Sequence, residues 1–223
     1  MCGNNMDIKQ EKNIHHMVSL IGGFLGGYGI ITRASNFGSA ETTNMIAIIT
    51  SIFDNNMEAA MLRTFALLIY VAAIVFTIVI PKITRFDVRY MSMIINVIGM
   101  IGMAFIAPEV HPIIALFPVF FMSAFQWNSF PKAAGYSCST IFSTNNLRQT
   151  IIGYTEYIAE RNESVRDKHL DKGRFFGATL IYYYLGVVYA CIVTKYVGIY
   201  ASIAGIVPVI IVCIMMLRAG RKV

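Results

Sequence analysis

The side chains best suited to chemistry fall into two clusters. Arg33, Glu41, Thr42 and Asn44 form the first, and Gln126, Asn128, Thr144, Asn146 and Arg148 form the second. Thr42-Thr43-Asn44 and Thr144-Asn145-Asn146 both read T-x-N, 102 positions apart. Thr and Asn oxygens accept from the free N–H groups at a helix start, so each triplet suits a cap. The same helix starts, turned towards one cavity, would instead offer partial positive charge and N–H donors to a polar or anionic solute. Glu41 works against an anion. These nine residues are the candidate substrate-binding set.

Covalent chemistry finds little support. Ser137, Cys138 and Ser139 are potential nucleophiles, yet no His or paired carboxylate accompanies them to act as a base. No phosphate-binding loop, metal motif or dinucleotide fingerprint is present, so the expectation is a non-enzyme without cofactor or metal. Cys2, Cys138, Cys191 and Cys213 are scattered without a CxxC pair and read as packing residues. His15, His16 and His111 sit at the ends of apolar runs and are not expected to hold a metal.

The elements that must position these residues are set by lipid. Charged residues make up 13% of the 223 and hydrophobic ones 57%, with a mean hydropathy of +0.62. Soluble domains carry about 25% charged residues. A chain this size could not bury the excess apolar surface in water. The net charge of +6 does not point to nucleic acid, because the basic residues lie between hydrophobic runs, where they orient a membrane protein.

A crossing helix needs about 20 apolar residues. Ala59–Ile80, Val88–Ala107, His111–Phe130 (interrupted by Pro118), Phe175–Tyr196 and Ile199–Leu217 qualify, and Met17–Thr32 is a short first span broken by five glycines. That run reads as a span of the mature protein, not as a cleaved signal, although Gly38-Ser39-Ala40 loosely imitates a cleavage site. Thr42–Phe53 and Thr140–Ile158 are helical in pattern but too short or polar to cross. Gly22, Gly23, Gly26 and Gly27 give two overlapping GxxxG spacings, and Gly173 with Gly177 gives another. These read as close helix packing, with a backbone-lined path the alternative at the first span. Asn96 suits an interhelical hydrogen bond, Arg63 an interfacial snorkel.

With the N-terminus inside, only Arg33, Arg63 and Lys195 fall outside, and the other fifteen of eighteen basic residues are cytoplasmic. The same order then occurs twice: a short interrupted span, a polar segment with a short helix, and two ordinary spans. Three spans per half inverts the second copy, an arrangement that points to a transporter-like site near the midplane. The expected fold is an all-α membrane protein of about six transmembrane helices as two inverted three-helix repeats, each with a short re-entrant or half-membrane helix. Residues 1–13 would be a cytoplasmic tail, 14–107 the first repeat and 108–223 the second.

Two runs resemble a known family. GGFLGGYGIITRASNFGSAETTN (Gly22–Asn44) is similar to the first signature of the YoaK-type bacterial membrane proteins. There a Gly-Phe-x-Asp helix precedes an arginine turn and F-x-x-x-Q-T-G-N. FQWNSFPKAAGYSCSTIFSTNNLR (Phe125–Arg148) resembles their Q-W-N-x-F…G-Y…T-T-x-x-T-G-N-L-R signature. Gly26 stands where the family tends to have Asp, Glu41 where it has Gln, and Thr43 and Asn145 where it has Gly. Losing the Asp argues against a proton-coupled role for that position. The resemblance implies an integral membrane fold and little chemistry, the family's function being unknown.

The expected function is a channel or secondary transporter for a small polar solute in the bacterial inner (cytoplasmic) membrane. The alternative is a non-transporting sensor or assembly partner. Expected partners are the lipid bilayer and that solute, with a homo-oligomer allowed and nucleic acid not expected.

Overall fold

The computed structural model of the chain describes residues 7–33 and 41–220. Cys2, the Gly38-Ser39-Ala40 run, the rest of the first signature between Arg33 and Glu41, and the basic residues Arg221 and Lys222 lie outside the described residues. The described chain is mostly helical. In order, it contains α1 (Ile8–Thr32), α2 (Glu41–Phe53), α3 (Met57–Ile83), α4 (Val88–Ala104), α5 (Pro112–Ala115) and α6 (Phe117–Ser129). A small hairpin of β1 (Lys132–Ala133) and β2 (Tyr136–Ser137) follows. Then come α7 (Thr144–Ala159), α8 (Glu163–Val197), a 3-10 turn at Gly198–Tyr200, α9 (Ala201–Ala204) and α10 (Ile206–Gly220).

The short helices turn back into long ones through asparagines. Asn55 closes α2 at a positive φ of 57°, a conformation Asn tolerates better than most residues. Asn56 then accepts from Ala59 N–H at 3.1 Å and caps α3. Asn162 does the same for α8, accepting from Ser164 N–H at 3.1 Å. The result is two helical hairpins, α2 on α3 and α7 on α8.

Around these hairpins the remaining helices pack crosswise. Helix α1 packs against α8 and α10, while α6 packs against α3 and α4; α4 also meets α10. Helix α1 is central, with Val18, Ile21, Phe24, Leu25 and Tyr28 all buried. Its crossing with α8 is made by bare backbone. A Cβ on Gly23 would collide with the Tyr183 carbonyl, and one on Gly186 with the Leu20 carbonyl and, at 2.8 Å, the Phe24 nitrogen. The glycines thus permit close approach, as their spacing predicts.

The outer faces are apolar. Phe65, Leu68, Val71, Val75 and Ile78 on α3, and Ile181, Leu185, Val188 and Ile192 on α8, are all exposed. Surfaces of this kind belong in lipid. Among the described residues, three helical stretches are long and apolar enough to cross a membrane: Ile8–Thr32, Met57–Ile83 and Glu163–Gly220, with Val88–Ala104 a shorter apolar helix.

Several expected boundaries move. The first span is neither short nor interrupted: α1 runs for 25 residues without a break. Five helix-interior glycines each cost roughly 1 kcal/mol, but the protein that encloses α1 compensates. Helix α8 starts at Glu163 and not near Phe175, so the charged stretch ahead of the expected span is helical. Its charged first turns need water rather than lipid, and nothing in them opposes helix. The break before Pro118 is as expected, with α5 ending at Ala115 and α6 opening at Phe117. The last helical stretch bends at Gly198, whose φ of 59° with ψ of −134° is readily reached only without a side chain. Carbonyls near that bend are taken up by tyrosines. Tyr28 donates to the Ile199 carbonyl and Tyr189 to the Ala204 carbonyl, each at 2.9 Å.

Candidate functional site

The starts of α2 and α7 open onto one cavity of about 370 Å³. Glu41 and Thr42 line it from α2, Ser143 and Thr144 from the start of α7. Two segments that are remote in sequence are therefore neighbours. The remaining walls are aromatic: Tyr70 from α3, Trp127 from α6, Phe142 ahead of α7, and Tyr183 from α8. Trp127 and Phe142 meet edge to face, with centroids 5.1 Å apart and planes at 84°. Tyr70 is 4% exposed, and its hydroxyl has no hydrogen-bond partner among the described residues.

Asn44 and Asn146 sit at the first turn of their helices, both buried. Neither caps. Asn44 Nδ2 donates to the Arg63 carbonyl at 3.2 Å and to Glu41 Oε2 at 3.4 Å. Asn146 Nδ2 donates to the carbonyls of Ser139 at 2.8 Å and Phe142 at 3.0 Å, while its Oδ1 accepts from Cys138 Sγ at 3.3 Å. A cap would accept from backbone N–H groups; these side chains donate to backbone carbonyls. Asn146 fixes the entry of the chain into α7, and Asn44 ties the start of α2 to α3, so both hold the cavity walls in place.

The other candidate residues lie elsewhere. Gln126 is fully buried and joins four segments. It accepts from Asn96 Nδ2 at 2.9 Å and donates to the Val18 carbonyl at 3.1 Å and Thr140 Oγ1 at 3.4 Å. Asn96 thus makes the interhelical bond its position predicts. Arg33 is buried and donates to the carbonyls of Ala107 at 3.2 Å and Ile106 at 3.0 Å. These are carbonyls left over where α4 has ended. Asn128 donates to the Ala124 carbonyl of its own helix at 2.8 Å. Arg148 is exposed on α7. Of the nine, Glu41, Thr42 and Thr144 line the cavity, and Asn44 and Asn146 brace it.

The second signature also builds the β1–β2 hairpin, which composition did not foretell. Ala134 and Gly135 both hold positive φ, 51° and 82°, as a tight two-residue hairpin turn requires. The Ala134 N–H donates to Glu11 Oε2 at 2.9 Å, which ties the hairpin to α1. Beside it a small cavity of about 40 Å³ is lined by Glu11, His15, Arg89, Ser129 and Lys132 among others. Cys138 is buried behind the hairpin, and that burial pushes its thiol up to about 12. A thiol held neutral at physiological pH is a poor nucleophile.

The aromatic walls are the part of the site that pattern reading missed. Trp127 draws no role from the sequence although it adjoins Gln126 in the second signature. Only the fold shows that these rings converge from three helices and a loop.

A family model described as "Protein of unknown function (DUF1275)" matches residues 14–217, which takes in both signature runs and every candidate residue. No curated protein and no solved structure matches the chain.

Proposed function

We propose that this chain, which belongs to the DUF1275 family, is a passive channel or secondary transporter for a small polar solute. The observation that carries this reading is the single cavity shared by the starts of α2 and α7. Short helices that end inside a membrane domain need protein or water around their free backbone groups. A cavity lined by Glu41, Thr42, Ser143 and Thr144 supplies such surroundings.

The crosswise packing supports two inverted three-helix halves and a six-span count. The first long helix of each half, α1 or α6, packs on the two later helices of the other half. Each short helix, α2 or α7, packs on the helix that follows it. Exchanging the halves maps this pattern onto itself, as an inverted repeat requires. The six spans would be α1, α3, α4, α5 with α6, α8, and α9 with α10. The distribution of basic residues favours the bacterial inner membrane with both termini cytoplasmic.

Flux into proteoliposomes tests the reading. Purified protein should carry at least one member of a panel of small neutral, cationic and anionic solutes faster than empty vesicles do. Thr144→Trp, which fills the cavity mouth, should cut that flux by tenfold or more. A folded, correctly inserted protein that moves none of the panel would instead favour a sensor or assembly partner.

A further inference from the structure

The geometry points to a small organic ammonium cation as the solute of the shared cavity, an inference that rests on the transport reading above. Glu41 places a carboxylate at the cavity wall, and none of the described lining residues is Lys, Arg or His. Tyr70, Trp127, Phe142 and Tyr183 supply four aromatic rings. Ring faces carry negative potential and attract cations, Trp most strongly. The buried Tyr70 hydroxyl, without a partner among the described residues, offers an acceptor to an ammonium N–H or to a hydroxyl carried by the cation. Thr42, Ser143 and Thr144 offer further oxygens.

The opposing effect is the pair of helix starts, each equivalent to about half a positive charge. The start of α2 is met by Glu41 on its own first turn, so about half a charge at α7 stands against the excess negative charge and the rings. An anion would meet the carboxylate and the aromatic walls together. A neutral polar solute would gain from the hydroxyls but bring no counter-charge to Glu41. The cation satisfies all of these groups at once. The volume of about 370 Å³ lies in the lower part of the range that small ligands occupy.

Trp127 is the single tryptophan of the chain and a wall of this cavity, so its fluorescence reports occupancy directly. Purified full-length protein in detergent is titrated with choline and, separately, with 3,3-dimethylbutan-1-ol, its uncharged analogue of the same shape. Choline should change the emission saturably, and the neutral alcohol should do nothing at the same concentrations. Glu41→Gln should weaken choline at least tenfold. Should that variant fold poorly, the comparison of the two ligands on the unaltered protein still decides the matter. Equal responses to both ligands overturn the inference, as does saturation by acetate in place of choline or no response to choline and methylammonium alike. Flux separates this from the parent reading. Choline that binds without being carried overturns transport and leaves the cation site standing, whereas carriage of a neutral solute with no cation binding overturns the cation site and leaves transport.

Discussion

Gly153 of α7 lies directly on Gly173 of α8: a Cβ added at position 153 would sit 2.6 Å from the Gly173 nitrogen and 2.7 Å from its Cα. The contact is between backbones, so no side chain can swing aside to relieve it. Gly153→Ala should therefore destabilise the protein by about 1–3 kcal/mol, the usual cost of overpacking. Gly102→Ala is the matched control, since nothing lies within 4 Å of its Cβ position. It should be neutral or gain about 0.5–1 kcal/mol from the helix preference of Ala. Thermal unfolding in detergent reads both, and a stable Gly153→Ala would mean that α7 does not seat on α8 this way.

Asn146 distinguishes a donor from a cap. Its amide donates to two carbonyls, and an aspartate at that position has no N–H to offer them. Asn146→Asp should cost at least as much stability as Asn146→Ala, on the order of 1–3 kcal/mol for the unmet buried groups. A harmless Asp variant would restore the capping role that the T-x-N pattern suggests. Asn44→Asp, which loses its bond to the Arg63 carbonyl, should behave in the same direction.

Ala134 holds a backbone conformation that suits glycine. At a φ of 51°, a residue with a Cβ costs roughly 1–2 kcal/mol. Ala134→Gly should raise the unfolding temperature, and Glu11→Ala, which removes the acceptor for the Ala134 N–H, should lower it. A loss of stability in Ala134→Gly would show that the hairpin turn is not formed in this way.

Asp87 should shape the acid limb of stability. Burial pushes its carboxyl up, but hydrogen bonds from the Arg89 side chain and N–H, with the Arg89 charge, leave it below the ordinary value. The nearest contact is 2.6 Å. A depressed folded value means that the contribution is present above the unfolded value of about 3.9 and is lost as pH falls through the folded one. Asp87→Asn should flatten the loss of stability below about pH 4. Its effect should be modest, because Asp87 keeps 35% side-chain exposure. An unchanged acid limb would count against the Asp87–Arg89 pair.

The orientation proposed above is checked at Arg161, in the turn between α7 and α8. Arg161→Cys, in a background without the native cysteines, should resist impermeant thiol reagents added outside intact cells and label after permeabilisation. Ready labelling from outside would reverse the orientation argued from basic residues.

Helix content and the two short helices were legible because apolar length and polar interruption are local signals. Thr42–Phe53 was expected and Glu41–Phe53 is found. The glycine spacing of α1 likewise gave close packing, but the same glycines misled on continuity, because the enclosure that rescues a glycine-rich helix is a tertiary effect. Of the candidate site, Glu41, Thr42 and Thr144 were recoverable from residue type. Gln126 was not separable from them, since a polar side chain between apolar residues reads alike whether it faces a cavity or, as here, Asn96 and the Val18 carbonyl. The aromatic walls were invisible for the opposite reason: in a chain with 13% aromatic residues, four rings mark no position until the fold brings them together.

Helix α8 runs unbroken for 35 residues, about 52 Å at 1.5 Å per residue, while a hydrocarbon core is about 30 Å thick. Its charged opening turns and its apolar turns share one hydrogen-bond ladder without a joint. A tilt or rotation imposed on the aqueous end is therefore not absorbed along the way. It arrives at Gly186, where α8 bears on the backbone of α1, and at Tyr183, which lines the cavity. One continuous helix thus joins the charged opening turns to the backbone crossing with α1 and to a wall of the cavity.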